Sequence, residues 1–443
     1  MFHFYVNDWC IVWTNGWRTL AHVCQRWRFI AFASPRRLNL QLVYKAKRPM
    51  SEMPDVWPAL PVAINYTFSK SNVDRCWGNI AAALESEHRE RIFEITLRDI
   101  PTSHWENLAT AMQKPFPQLT SLVLSAKEDS MTSLPDSFLG GSAPLLRELM
   151  LGNCPFPGLP KLHLLANHLV RLYLLDIPDS GYISPEALVT VLSAMSGLEL
   201  LCLKFTSPRY PTSPPPLTRS VLPFLTKLIF VGIHEYLEDL LAQIQVPLLN
   251  NLEISFFGAL DYVVPELHRL ISHTESFKLC HHARLYSYTF KIQIVMFREI
   301  HQLLPDLSLD IKCTELDRQL SSLVQVCSSS LLYLISTSVR LELWGFSPPS
   351  QSYWNDHTET TRWLEFLELF TAVKDLRLGH DVGSHVCRAL EGVAEGVEIL
   401  PALQNIFLHL HRHEPSESVP KFLERFVAAR KLSGHPVAIH RWD

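Results

Sequence analysis

Six segments of the chain repeat one apolar spacing: a leucine, two residues, a leucine, one residue, then a leucine or a large apolar substitute. They are Leu119/Leu122/Leu124, Leu146/Leu149/Leu151, Leu169/Leu172/Leu174, Leu198/Leu201/Leu203, Leu225/Leu228/Phe230 and Leu249/Leu252/Ile254. Their first leucines follow one another at intervals of 23 to 29 residues. Two apolar residues separated by one residue point to the same face of a strand, and the remainder of each interval is long enough for a return that starts the next strand in the same direction. One such unit cannot bury its apolar row alone, so consecutive copies must stack. Ile92, Ile95 and Leu97 fit the same frame 27 residues upstream of Leu119.

The fullest copy, PLLRELMLGNCPF from Pro144 to Phe156, adds Cys154 and Phe156 behind its leucines. It matches the leucine-rich-repeat signature L-x-x-L-x-L-x-x-N/C-x-L with Phe in the last slot. The Cys/Asn slot, whose side chain usually bonds the loop backbone, holds Ile100, Ile177, Ile233, Phe257 and Phe346 elsewhere. The usual ladder of asparagines is therefore not expected. Between strands, Ser184-Pro185-Glu186 opens a helix with Ser at the N-cap, Pro at the first helical position and Gly197 past the end. Further helices are expected over 73–84, 104–112, 237–244, 316–326, 363–370 and 419–429. After Ile254 the frame blurs. Phe277/Leu279, Leu341/Leu343, Leu376/Leu378 and Ile406/Leu408 read as strands, whereas 284–297 and 303–311 do not fit. Phe422, Phe426 and Ala429, followed by Gly434 and Val437 to Ile439, read as a closing helix and strand. The expected fold class is α/β, an irregular leucine-rich-repeat solenoid or horseshoe preceded by a partial all-α module.

That module occupies the N-terminal segment. Leu20, Val23, Cys24, Trp27 and Ile30 fall at helical spacing, with Arg18, Gln25, Arg26 and Arg28 between them and Ser34-Pro35 as a stop. On pattern alone this is an ordinary amphipathic helix. The residue types add a second reading: L-x-x-V-C-x-R-W-R-x-I-A, Leu20 to Ala31, resembles the second half of the F-box, and an F-box followed by an irregular leucine-rich array is similar to the large fungal F-box families. The resemblance implies docking on the Skp adaptor of cullin-type (SCF) ubiquitin ligases through Leu20, Val23, Cys24, Trp27 and Ile30. It departs from the family at the start. The family's opening helix bears L-P-x-E, and Met1 to Val6 resembles only the last turn of that helix, so the expectation is either a truncated gene product or an F-box whose first helix has been lost and whose adaptor docking is weakened. The domain reading is a helical module at 1–36 and a solenoid with capping elements at 37–443, entered by a strand over Leu38–Val43 and a proline-marked loop reaching Pro61.

The composition of the 443 residues suits a continuous core: 47% are apolar, 19% are charged, and the formal charge is −4. Near-neutrality gives no global attraction to nucleic acid or anionic membrane, and neither partner is expected. Lys45, Lys47 and Arg48 are the one dense basic cluster, read as a solvated loop. No apolar run approaches the ~18 residues of a spanning helix, and the N-terminus lacks a basic leader. Nine cysteines, an odd number without a C-x-x-C pair, read as reduced and mostly buried, so a cytoplasmic or nuclear protein is expected.

The sequence offers little chemistry. G-x-S-x-G, Walker, H-E-x-x-H and G-x-G-x-x-G motifs are absent. His409, His411 and His413 with Glu414 are a conceivable metal cluster that reads more simply as an exposed polar strand end, and Cys280-His281-His282 is similarly suggestive and similarly isolated. The expectation is no enzyme, catalytic residue, cofactor, metal or disulfide. SPRYPTSPPP, 207–216, has the composition of a polyproline-II ligand or a Ser-Pro phosphosite, and reads more simply as a bare inter-repeat loop.

Binding remains. Residues flanking the buried pair project to the concave face because strand side chains alternate. This selects Arg98, Glu148, Met150, Arg171, Tyr173, Lys204, Lys227, Glu253, Glu342, Trp344, Arg377, Phe407 and His409 as target-binding candidates. The leading expectation is an SCF substrate-recognition subunit, a monomer outside the complex, that binds the Skp adaptor and an unknown protein substrate. The alternative is a leucine-rich interaction scaffold without ligase association.

Overall fold

The computed structural model describes residues 23–33, 41–46, 60–68, 73–127, 134–135, 137–141, 143–154, 168–207, 219–258, 264–313, 316–345, 356–391, 399–409 and 418–442. They form two compact units, the first comprising residues 1–206 and 222–224, the second 207–221 and 225–443.

The first unit opens with helix α1 (Gln25–Ala33), followed by strands β1 (Leu42–Tyr44) and β2 (Val62–Thr67), helix α2 (Val73–Glu85), β3 (Ile92–Ile100), α3 (Thr102–Ala111), β4 (Ser121–Ala126), β5 (Glu148–Gly152), β6 (Arg171–Ile177), α4 (Pro185–Leu192) and β7 (Leu200–Phe205). Strands β1 to β7 pair in chain order, every neighbour parallel. The register lines up the apolar frame: Ile95, Leu122, Leu149, Leu172 and Leu201 form one ladder, and Leu97, Leu124, Leu151, Leu174 and Leu203 a second. All of these are at most 3% exposed. In-register stacking follows from the period of two, since a slip of one residue would turn every leucine to solvent.

Local chemistry sets the returns. At α4 the Ser184 hydroxyl accepts a hydrogen bond from the Ala187 N–H at 3.2 Å, and Pro185 occupies the first turn. Three strands exit through a residue in the left-handed region two positions after their last ladder leucine: Asp99 (φ 56°), Asn153 (φ 54°) and Asp176 (φ 50°). Asp and Asn tolerate that conformation better than other L-residues. Asn153 then does what a repeat asparagine does, donating from Nδ2 to the Ala126 carbonyl at 3.2 Å, one position before the expected slot.

In the second unit, β8 (Ser220–Val221) precedes β9 (Lys227–Gly232), α5 (His234–Gln243), β10 (Ile244–Gln245), β11 (Asn251–Phe257), α6 (Pro265–His273), β12 (His282–Tyr288), β13 (Lys291–Phe297) and β14 (Leu307–Lys312). Then come α7 (Leu316–Val326), a π-helical turn at Cys327–Leu331, α8 (Leu332–Ser336), β15 (Arg340–Gly345), α9 (Asp356–Glu368), β16 (Asp375–Leu378), α10 (His380–Glu391), β17 (Asn405–His409), α11 (Ser418–Leu432) and β18 (Ala438–Trp442). The main sheet runs β9, β11, β14, β13, β12, β15, β16, β17, β18, and β8 and β10 form a separate parallel pair. Strand β13 runs antiparallel to both of its neighbours, β12 and β14.

One expectation fails in this region, and the misfit of another stretch finds its cause. Phe277/Leu279 is a short 3-10 turn rather than a strand: Phe277 is buried, but Leu279 is 56% exposed. The misfit segments 284–297 and 303–311 are a β-hairpin and the strand beside it, which the frame could not accommodate because a hairpin leaves no room for a return helix. The apolar ladder nevertheless crosses the reversed strand intact. Leu228, Leu252, Leu307, Met296, Ala283, Leu341, Leu376 and Ile406 lie in register, and all are buried. Elsewhere, β1 covers the end of the expected 38–43 strand, residues 38–40 lie outside the described residues, and β2 follows directly after the proline-marked loop. Helices α6, α8 and α10 are additional to those expected; α11 and β18 match the expected closing pair.

Replacing Leu149, which is 0% exposed at the centre of its ladder, by Ala should destabilise the protein by about 2 to 5 kcal/mol, whereas Glu148→Ala, on the opposite face, should change stability by about 0.5 kcal/mol or less. Equal shifts in denaturant midpoints for the two variants would refute the register.

Candidate functional site

On α1 and the residue pair before it, Val23 is 59% exposed, Cys24 is exposed and Trp27 is half-buried. The Trp27 N–H donates to Cys24 Sγ at 3.4 Å. Leu20 and the Ile30 side chain lie outside the described residues. Phe29, which the spacing did not select, is 74% exposed, so the helix presents two large apolar side chains to solvent.

The outward face of the first unit carries the candidates that alternation assigned to it. Arg98 on β3 and Arg171 on β6 are exposed; Glu148 and Met150 on β5, Tyr173 on β6 and Lys204 on β7 are half-buried. Glu148 and Arg171 share a register row, their charged atoms 3.8 Å apart, and Ser121 donates to Glu148 at 3.4 Å. Met150, Tyr173 and Cys202 form the next row. Glu94 on β3 pairs with Ser121 and so belongs to the Glu148 row. Burial, then the charge of Glu148, raises its carboxyl above the usual carboxylate value.

The second unit concentrates its charge. Lys227 Nζ meets Glu253 Oε1 at 2.5 Å near the beginning of the sheet. Farther along, Glu342 on β15 is only 5% exposed and sits between two guanidiniums, Arg284 of β12 at 2.7 Å and Arg377 of β16 at 3.7 Å. One row down, Arg340 holds Asp375 at 3.0 Å, Asn405 Nδ2 donates to the same carboxylate at 3.0 Å, and His440 Nε2 lies 3.2 Å from Asn405 Oδ1. Burial alone would raise the Asp375 carboxyl; the hydrogen bonds from Asn405 and Arg340 outweigh it and hold the group below its ordinary value. Aromatic rings border this network. The Arg377 guanidinium lies 5.2 Å over the Phe407 ring, Phe407 stacks on His440 at 5.0 Å, and the Trp344 and His409 ring centres are 5.7 Å apart.

Alternation thus places Glu342, Trp344, Arg377, Phe407 and His409 on one face together, whereas Arg98 and the other first-unit candidates belong to a separate compact unit. Arg284, Arg340, Asp375, Asn405 and His440 were missed. Arg340, Asp375 and Asn405 occupy the slot just before the first strand leucine, the slot that gave Arg171 and Lys227 in earlier copies, so the signal was present. Arg284 lies in the hairpin that the frame did not fit.

Among the described residues no group of three or more His, Cys, Asp or Glu side chains is placed to hold a metal ion; His411, His413 and Glu414 lie outside them. Cys280 is buried, and burial pushes its thiol, like those of Cys154 and Cys387, up to about 12. Thiols so weakly acidic are poor nucleophiles. No described helix is long and apolar enough to cross a membrane. Lys47, Arg48 and 208–216 lie outside the described residues.

Comparison with known proteins yields no match to any protein-family model and none to a curated protein sequence. Among solved structures the chain is similar to the leucine-rich repeat-containing protein LegL7 from Legionella pneumophila, with 13% sequence identity and a TM-score of 0.30, covering 87% of this chain and 97% of that one. A likeness that distant carries no weight beside the in-register ladders, on which the repeat assignment rests.

Glu342→Ala should cost about 2 to 4 kcal/mol by leaving two half-buried arginines without their shared acid, while Glu253→Ala, whose side chain is 35% exposed, should cost no more than about 1 kcal/mol; urea midpoints distinguish them. Glu94 gives a pH test. Its raised folded value means that its stabilising contribution is complete below the unfolded carboxylate pKa of about 4.3 and is lost as pH rises through the folded value. Glu94→Gln should therefore raise the melting temperature at neutral pH, with the gain vanishing in acid.

Proposed function

We propose that this chain is a protein-recognition subunit without catalytic activity, binding its target on the outward face of the second unit's sheet. The observation that carries the reading is the network around Glu342, where arginines and aromatic rings are held in fixed positions on a regular strand surface. Arginine and aromatic side chains dominate the energetics of protein interfaces because they bury large areas with little loss of conformational freedom. Trp344, Phe407 and His409 are half-buried, so each has surface left for a partner.

The finer reading is a substrate-recognition subunit of a cullin-type ubiquitin ligase. It is supported by the resemblance of Leu20 to Ala31 to the later F-box helix and by the exposure of Val23, Cys24 and Phe29. A helix used solely as an internal cap would turn its apolar stripe inward; this one leaves Val23 and Phe29 outward, where an adaptor could cover them.

Calorimetry with purified Skp adaptor tests it. Weak binding is expected, strengthened by an L-P-x-E helix placed ahead of Leu20 and abolished by Val23→Asp with no change in the melting curve. If the adaptor does not bind even with that helix supplied, or if Val23→Asp unfolds the repeats, the ligase reading fails and a leucine-rich scaffold without ligase association takes its place.

A further inference from the structure

Among the described residues the second unit's sheet ends on an open strand. Strand β18 has one neighbour, β17. The main-chain N–H groups of a strand point alternately to its two sides. That of Ala438 donates to the Gln404 carbonyl at 2.8 Å, on the β17 side, so those of Ile439 and Arg441 point to the open side. The end strand of the first unit, β1, is different, with Leu42, Val43 and Tyr44 all buried.

The apolar ladder stops uncovered at the same place. Ile439 is in register with Ile406, and Arg441 with Leu408. Ile406 and Leu408 are at most 3% exposed, whereas Ile439 is 41% exposed and Arg441 is exposed too. The last strand therefore carries a cation where every inner strand of this row carries an apolar rung. Among the described residues Arg441 has no ion-pair partner.

An open edge accepts a strand of fitting pattern, and a charge at a rung position narrows the choice. A strand added beside β18 gains main-chain hydrogen bonds from the free edge. It places one side chain beside Ile439 and, two residues along on the same face, another beside Arg441, where an acid is favoured and a base disfavoured. A second copy of this chain does not meet that demand. In the two antiparallel registers that cover Ile439, it offers Arg441 either Val437 or Ile439 and no acid.

We propose that the free edge of β18 takes an extended segment of a protein partner as one further strand, with an apolar side chain covering Ile439 and a Glu or Asp two residues away pairing with Arg441. The residue between them lies beside His440, so the added strand prolongs the outward face. The mode is strand addition, in which the main chain supplies affinity and alternate side chains supply selection. The inference goes beyond the outward-face reading and does not rest on the network around Glu342.

Hydrogen–deuterium exchange of the full chain tests this, with the peptide Thr-Thr-Ile-Thr-Glu-Thr-Thr titrated to millimolar concentration, acetylated and amidated so that Glu is its one charge. Exchange over 437–442 should slow as peptide is added, because the open amides gain partners, and exchange over 282–288 should not change. The dissociation constant read from that slowing should rise about two- to fivefold when Gln replaces Glu. Arg441→Glu should reverse the preference, so that a peptide with Lys in place of Glu binds about two- to fivefold more tightly than the Glu peptide, with an unchanged melting curve. Equal slowing by the Glu, Gln and Lys peptides would overturn the charge-selected strand, as would a Glu preference that survives Arg441→Glu. No slowing with any peptide would overturn pairing at this edge. Protection of 437–442 that grows with the concentration of the chain alone, with a dimer in sedimentation, would assign the edge to a second copy and overturn the proposal as well.

Discussion

In-register burial of one apolar rung against the next is the interaction on which both units depend. A strand such as β5 has two ladder leucines and polar or half-buried residues between them, so it is stable only where a neighbouring strand offers rungs at the same height. Parallel pairing at a fixed register meets that condition for β3 to β7, because each copy enters and leaves the sheet at the same point of its frame. The residues between rungs are then released from packing, which allows Glu148, Met150, Arg171 and Tyr173 to differ in chemistry while sharing one backbone.

The second unit shows that the rung, not the strand direction, is the conserved requirement. Inserting β13 antiparallel between β14 and β12 breaks the one-strand-per-repeat rule, yet Met296 and Ile294 still face Leu307 and Leu309 on one side and Ala283 and Leu285 on the other. Side-chain alternation has the same period whichever way a strand runs. The rearrangement has a consequence for the outward face as well: it seats β12 beside β15, bringing Arg284 next to Glu342 across 58 residues of chain.

These two units differ in how far the sequence foretold them. The leucine frame, the Ser184 cap, α11 and β18 were legible because each depends on local spacing or on a single well-understood turn. The hairpin was not, since its two strands alternate without the leucine pair and nothing local says which neighbours they choose. Helix α10 was not expected, although Val382, Val386, Cys387 and Leu390 follow a helical stripe that the fold buries around Gly383. The positions of the outward candidates followed from alternation alone, but their partnerships did not. Glu342 was recognisable as an outward residue; its burial between two arginines was not, because one of those arginines comes from the strand that the frame missed.

That burial bears on what the face is for. Removing a carboxylate and two guanidiniums from water is expensive, and the mutual attraction of the three groups roughly offsets the penalty, so the cluster contributes little net stability relative to apolar packing. What it does is hold the Arg284 and Arg377 side chains in fixed positions, with Arg377 over the Phe407 ring and Arg284 beside Tyr286 and over Phe297. An arginine already immobilised loses less side-chain entropy when a partner arrives, which an exposed, unanchored one would lose at that moment. Preorganisation of this kind favours recognition of one geometry over general attraction to charge.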